Sequence, residues 1–198
     1  MAILVDKIKK KKEIALSCKS LLENNNINSL TISSITKVAG IGKGTFYEYF
    51  KNKEELIFEI VSILMQEYNK KTQKRLKAAT TVKEKLKIFA QFFYSKEDEN
   101  LRKIYNQFLA ISLNNPSKEM IEFQSRCFKL YQHWIEQIIK EAINSGELDT
   151  IALEFSESIF ATIKGFYLNA QSTNQIDTLP QKIDSYIDRF ILLIGKRK

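Results

Sequence analysis

Lys43, Thr45, Tyr47 and Lys53 crowd into one stretch, AGIGKGTFYEYFKNK, from Ala39 to Lys53. Their groups suit the holding of a polyanion. An ammonium reaches guanine O6 and N7 or a phosphate oxygen, and hydroxyls serve phosphates. Three of the chain's six glycines, Gly40, Gly42 and Gly44, fall in the same stretch, followed by Phe46, Tyr47, Tyr49 and Phe50. Gly40-x-Gly42-x-Gly44 is no dinucleotide loop, because no strand precedes it and the spacing is wrong. Enzyme chemistry finds little else to use. There is one histidine, no Cys/His metal spacing, no phosphate loop and no nucleophile elbow. No cofactor and no metal site are expected.

The elements that must position these groups are helices. Thr31 reads as the N-cap of a short helix whose inner face is Ile32, Ile35, Val38 and Ala39. Gly40 stops it, supplying the positive φ of a tight turn. Ile41 plugs that turn into the core, and Gly42 opens the next helix. There Phe46 and Phe50, four residues apart, face inward, while Lys43, Gly44, Thr45 and Tyr47 face out. Gly44 lets backbone approach a ligand closely. Asn52 with Glu55 starts the following helix, and Lys53 stands where an ammonium and open N–H groups can grip one phosphate. A helix, a glycine turn and a second exposed helix form a helix–turn–helix that presents its second helix to the major groove.

At these residues the chain resembles a known family. LTISSITKVAGIGKGTFYEYFKNKEEL is similar to the DNA-binding signature of TetR-family bacterial transcriptional regulators, through Thr31, Ile35, Ala39, Gly40, Ile41, Gly44, Thr45, Phe46, Tyr47, Tyr49, Phe50, Lys53 and Leu56. The close match covers roughly residues 8–57. Gly42 stands where the family has Ser, and Thr36 where it has a small Ala. The resemblance implies that Lys43 and Gly44 approach bases, that Thr45, Tyr47 and Lys53 hold phosphates, and that Thr31 and Ser33 lie at the DNA-facing start of the first motif helix. Tyr49 either touches DNA or fills the bundle. Lys9 to Lys12 either track the DNA backbone or form a solvated face.

Charge points the same way. Residues 1–53 hold ten lysines against four acids, while the rest carries 21 basic and 19 acidic side chains. A basic module on a nearly neutral body is the footprint of a partner such as nucleic acid. A membrane-surface role for the Lys7–Lys12 helix would leave Thr45, Tyr47 and the glycines unexplained. No targeting segment is visible and no apolar run approaches a membrane span, so a cytoplasmic protein without membrane contact is expected.

The periodicity is helical nearly throughout, with two prolines and six glycines in 198 residues. The expected fold class is all-α with about nine helices: a three-helix helix–turn–helix module at 1–51 and a larger helical body at 52–198. The first helix, about 5–23, buries Ile14, Ala15, Cys18, Leu21 and Leu22, and Asn24–Asn26 end it. Later helices span about 53–76, 81–94, 97–113, 118–144, 150–171 and 179–194. Cys18 and Cys127 read as reduced core thiols. His133 falls on a helix surface beside an inward Trp134.

For the body, the resemblance implies a homodimer, a pocket for a small-molecule effector and repression of a pseudo-palindromic double-stranded DNA operator. The dimer would be built on the last two helices, whose stripes are Phe155, Ile159, Phe160, Ile163 and Phe166, and Ile183, Ile187, Phe190, Ile191 and Ile194. The pocket would draw on Phe92, Phe93, Tyr105, Phe108, Phe123, Tyr131 and Trp134.

Overall fold

Thr31 shows how this chain starts a helix. Its Oγ1 accepts from the Ser34 N–H at 3.1 Å, and Ser34 Oγ accepts from the Thr31 N–H at 3.1 Å. Each partner satisfies a donor that the first turn leaves open. The same device recurs at Thr81 and Glu84. At the next start Asn52 Oδ1 accepts from the Glu55 N–H at 2.8 Å, while the Glu55 carboxylate accepts from the Lys51 N–H at 2.8 Å.

The computed structural model describes residues 2–25 and 29–196. Its α-helices are α1 (Ala2–Ser17), α2 (Lys19–Asn24), α3 (Ile32–Ala39), α4 (Lys43–Tyr49), α5 (Lys53–Ala78), α6 (Val82–Ala90), α7 (Glu99–Asn114), α8 (Lys118–Asn144), α9 (Ser156–Ser172) and α10 (Leu179–Ile194). Short 3-10 segments at Gln91–Phe93, Thr150–Phe155 and Ile176–Thr178 join them. Among the described residues there is no strand, only an isolated bridge between Leu148 and Gly195. The fold class is all-α, as expected.

Two local expectations need correction. The first helix breaks at Cys18 into α1 and α2, where the Cys18 N–H bonds the Ala15 carbonyl at 3.1 Å in a tighter turn. The break keeps both Cys18 and Leu22 in the core. The helix ends at Asn24 with Asn25 as C-cap, and Asn26 lies outside the described residues. In α3 the inward residue is Thr36, not Val38, which is 45% exposed. Thr36 Oγ1 donates to the Ser33 carbonyl at 3.2 Å, so its hydroxyl is satisfied inside the helix and the side chain can be buried.

The helices gather into two compact units. The first holds residues 1–69 with 100–121, the second 70–99 with 122–198. The core of the first unit is built from Ile14, Ala15 and Cys18 of α1 and its end, Ile35 of α3, Phe46 and Phe50 of and after α4, and Leu56, Ile57 and Ile60 of α5, all nearly devoid of solvent contact. The first unit thus contains all of residues 1–51 and adds the front of α5 and nearly all of α7. In the second unit α10 packs on α6 and α9. Its ion pairs Lys83–Asp188 and Lys87–Asp184 link α6 to α10 at 2.7 and 2.9 Å.

Candidate nucleic-acid interface

Gly40 sits at φ 65°, ψ 33°, the left-handed conformation that costs other residues energy. Its own N–H and that of Ile41 both reach the Thr36 carbonyl, which closes α3 and turns the chain sharply. Gly42 caps α4 from an extended conformation without any side-chain hydrogen bond. That fits its place where a hydroxyl residue is the stronger cap. The two ends leave α3 and α4 packed together as the expected helix–turn–helix.

Helix α4 is held from behind by rings. Phe46 and Phe50 are buried, with centroids 5.5 Å apart. Tyr47 meets the Phe46 edge at 5.4 Å and 87° yet is 58% exposed. Lys43, Gly44 and Glu48 are exposed, and Thr45 is half-buried. A Cβ built on Gly44 would meet nothing within 4 Å, so its surroundings are open. The face therefore offers an ammonium, two hydroxyl side chains and a stretch of bare backbone on a rigid mount.

The other expected site residues sit around this face in different states. Thr31 and Ser33 are exposed at the start of α3, but the Thr31 hydroxyl is engaged as the helix cap. Lys53 is half-buried, and its Nζ donates to the Leu30 carbonyl at 3.1 Å. It therefore ties the start of α5 to the residue before the Thr31 cap, a structural duty the sequence reading missed. Tyr49 is half-buried, with Lys7 Nζ 6.0 Å from its ring centroid.

The lysine run of α1 divides as well. Lys11 Nζ bonds Glu55 Oε1 at 2.9 Å, lies 3.9 Å from Glu59 Oε2, and stands 5.2 Å from the Phe50 ring centroid. It is inward-facing and neutralised. Burial works to raise the Glu55 carboxyl, but the Lys51 N–H and the Lys11 ammonium outweigh it and hold the group below the ordinary glutamate value. Lys10 pairs with Glu13 at 3.6 Å on the surface. Lys9 and Lys12 are exposed. The signal was present in the sequence, since Lys7 and Lys11 continue the stripe of Ile14, Ala15 and Cys18 at helical spacing.

The candidates in the body distribute unevenly. Tyr105 and Phe108 belong to the first unit, where Phe108 packs on Phe58 at 6.2 Å. Phe92, Phe93, Phe123, Tyr131 and Trp134 belong to the second. There Tyr131 lies 5.5 Å from Trp134 and 5.7 Å from Phe160, and Phe93 lies 5.2 Å from Tyr167. Burial pushes the Cys127 thiol up to about 11 and lowers the Lys164 ammonium. His133 is exposed.

For the interface stripes, Ile159, Ile163, Ile183 and Ile187 have no exposed area within the single chain, and Phe160 and Phe190 have little. The four isoleucines are committed to the core of the second unit. Phe155 is exposed, and Phe166, Ile191 and Ile194 are half-buried. The most exposed apolar side chains of α9 and α10 are Leu192 and Leu193, 82% and 80% exposed.

Among the described residues no helix is long and apolar enough to cross a membrane, and no His, Cys, Asp and Glu group is placed to hold a metal ion.

Comparison with known proteins agrees with this geometry. Residues 19–60 match the family model of bacterial regulatory proteins, tetR family. The chain is 29% identical over 130 residues to a fatty acid metabolism regulator protein of Bacillus subtilis (strain 168), a match spanning 65% of each chain. In structure it resembles a TetR-family transcriptional regulator from Cytophaga hutchinsonii, with TM-score 0.76, 16% identity and 98% of each chain covered. It also resembles the regulator FadR of Bacillus subtilis, solved in complex with stearoyl-CoA, with TM-score 0.67, 24% identity, and 90% of this chain and 96% of that one covered.

Proposed function

We propose that the chain is a tetR-family regulator, in line with the match over residues 19–60, and that it is a sequence-specific DNA-binding repressor that a small-molecule ligand releases from its operator. The observation that supports this best is the face of α4. Lys43 and Gly44 project beside Tyr47 from a helix anchored on buried Phe46 and Phe50. Lys43 reads base edges, Gly44 admits the groove, and Thr45, Tyr47 and Lys53 hold phosphates. Thr31 and Ser33 line the same edge at the start of α3. The excess of lysine in residues 1–53 supplies the field that draws the module to DNA.

The active species is a homodimer. Two recognition helices set about 34–36 Å apart read a pseudo-palindrome. The patch available for a second copy surrounds a groove of about 680 Å³ lined by Phe155, Phe166, Tyr186, Phe190, Leu193 and Ile194. Leu193, which lines it, is 80% exposed in the single chain and has apolar surface to cover. Phe155, Phe166, Phe190 and Ile194 come from the expected stripes, and Tyr186 and Leu193 join them.

The effector binds the body, and a ligand that prefers a different spacing of the two modules shifts the population off DNA. The rings around Tyr131, Trp134 and Phe93 supply apolar walls within the second unit. The solved Bacillus relative holds stearoyl-CoA, so a long acyl thioester is the first compound to try. Fluorescence anisotropy on the region upstream of the gene tests the reading. Tight binding there, weak binding to random duplex, and release by acyl-CoA but not by free CoA are expected. Equal binding to both duplexes would end it.

A further inference from the structure

The lysine run of α1 contains one residue whose surroundings call for a separate reading. Lys7 lies one turn before Lys11 on the stripe that Ile14, Ala15 and Cys18 carry into the core. At position 7 the stripe has run past that core and meets the end of α4 instead. Lys7 is exposed, and its ammonium is 6.0 Å from the centroid of the Tyr49 ring. A cation over an aromatic face is held in place while remaining accessible to a second partner.

The position relative to α4 matters more than the contact. At about 100° per residue, Phe46 and Phe50 define the back of α4. Lys43 and Tyr47 then lie along one flank, and Thr45 and Tyr49 along the other. A helix about 10–12 Å across fills a major groove about 12 Å wide, so each flank faces a wall of phosphates. One flank carries its own cation, Lys43. The other carries Thr45 and Tyr49, with Glu48 close by, and no cation from α4 at all. Lys7 brings an ammonium to that flank from α1.

We propose that Lys7 is a phosphate-binding residue: held over Tyr49, it grips the DNA strand on the flank of α4 that α4 itself leaves without a positive charge. The proposal rests on the DNA-binding reading above. It also divides the lysine run by role. Lys7 meets DNA, Lys11 braces the module internally, and Lys9, on the opposite side of α1, faces solvent.

The test uses the full chain and a duplex that the wild-type protein selects from a randomised pool. Affinity is measured across a series of salt concentrations for the wild type, Lys7→Gln, Lys7→Arg and Lys9→Gln. One lost phosphate contact lowers the slope of log K against log salt by roughly 0.9, so a dimer of Lys7→Gln should lose roughly two. Lys7→Arg should keep the wild-type slope, and Lys9→Gln, with the same change in net charge, should keep it too. An unchanged slope in Lys7→Gln overturns the proposal, as does an equal loss in Lys9→Gln, which would mean that only the overall field matters. If the wild type selects no duplex at all, the fault lies with the DNA-binding reading rather than with Lys7.

Discussion

At the scale of single residues, Gly44 separates folding from binding. It lies in a helix at ordinary φ, and a Cβ there meets nothing. Gly44→Ala should therefore raise stability, by of order 0.5–1 kcal/mol, because alanine loses less conformational freedom. The same methyl would stand where the groove must come close. Thermal melts should show a higher midpoint while anisotropy shows weaker DNA binding. Unaltered binding would remove Gly44 from the interface. The two lysines flanking α4 should also part ways. Lys43→Ala should lose about 1–3 kcal/mol of discrimination between operator and random duplex. Lys53→Ala should weaken binding to every sequence and also lower the melting midpoint, because its ammonium holds the Leu30 carbonyl. A Lys53→Ala protein that melts like wild type would leave that hydrogen bond without structural weight.

At the scale of elements, the bracket around Glu55 ties α1 and the residue after the α4 cap to the first turn of α5. Its carboxylate accepts from the Lys51 N–H and from Lys11, and Lys11 in turn covers Phe50. The folded Glu55 value lies below the ordinary one. The bracket's contribution is therefore complete above the ordinary glutamate range and is lost as pH falls through the depressed folded value. Glu55→Gln should flatten the acid side of a plot of melting midpoint against pH, with the difference from wild type greatest above the ordinary glutamate range and shrinking as pH falls. A parallel displacement at all pH values would show that Glu55 acts through packing alone. Much at this scale was readable beforehand. Thr31, Gly40, Asn52 and Thr81 act locally, within a few residues of their partners, so their caps and turns follow from type and spacing. The Lys11 bracket joins residues 44 apart in sequence, and nothing local distinguishes an inward lysine from its solvated neighbours except its place on an apolar stripe. Thr36 was hidden for a related reason. Its burial depends on a hydroxyl finding the Ser33 carbonyl, which composition does not reveal.

At the scale of the whole molecule, the apolar stripes of the last two helices have more claimants than a sequence can resolve. Periodicity identifies a face that avoids water, but it does not say whether the same chain or a second copy covers it. Within one chain, Ile159 and Ile163 of α9 and Ile183 and Ile187 of α10 are wholly buried. Residues left outside, including Leu193, Phe155 and Tyr186, surround the groove available to a partner. The two sets should respond differently to substitution. Ile163→Ala removes core volume and should destabilise by about 2–5 kcal/mol, while the protein that remains folded still dimerises. Leu193→Glu alters a side chain that is 80% exposed in the single chain, so it should leave the secondary structure and melting cooperativity of each subunit intact. It should, however, place a charge in the joint between copies, where an unpaired carboxylate is costly. Sedimentation velocity should then find Leu193→Glu as a monomer at concentrations where the wild type is a dimer. Operator affinity should fall with it, because each monomer reads only one half-site. If Leu193→Glu sediments as a dimer and binds the operator as the wild type does, the second copy docks elsewhere, and the groove beside Phe155 and Tyr186 is not the joint that spaces the recognition helices.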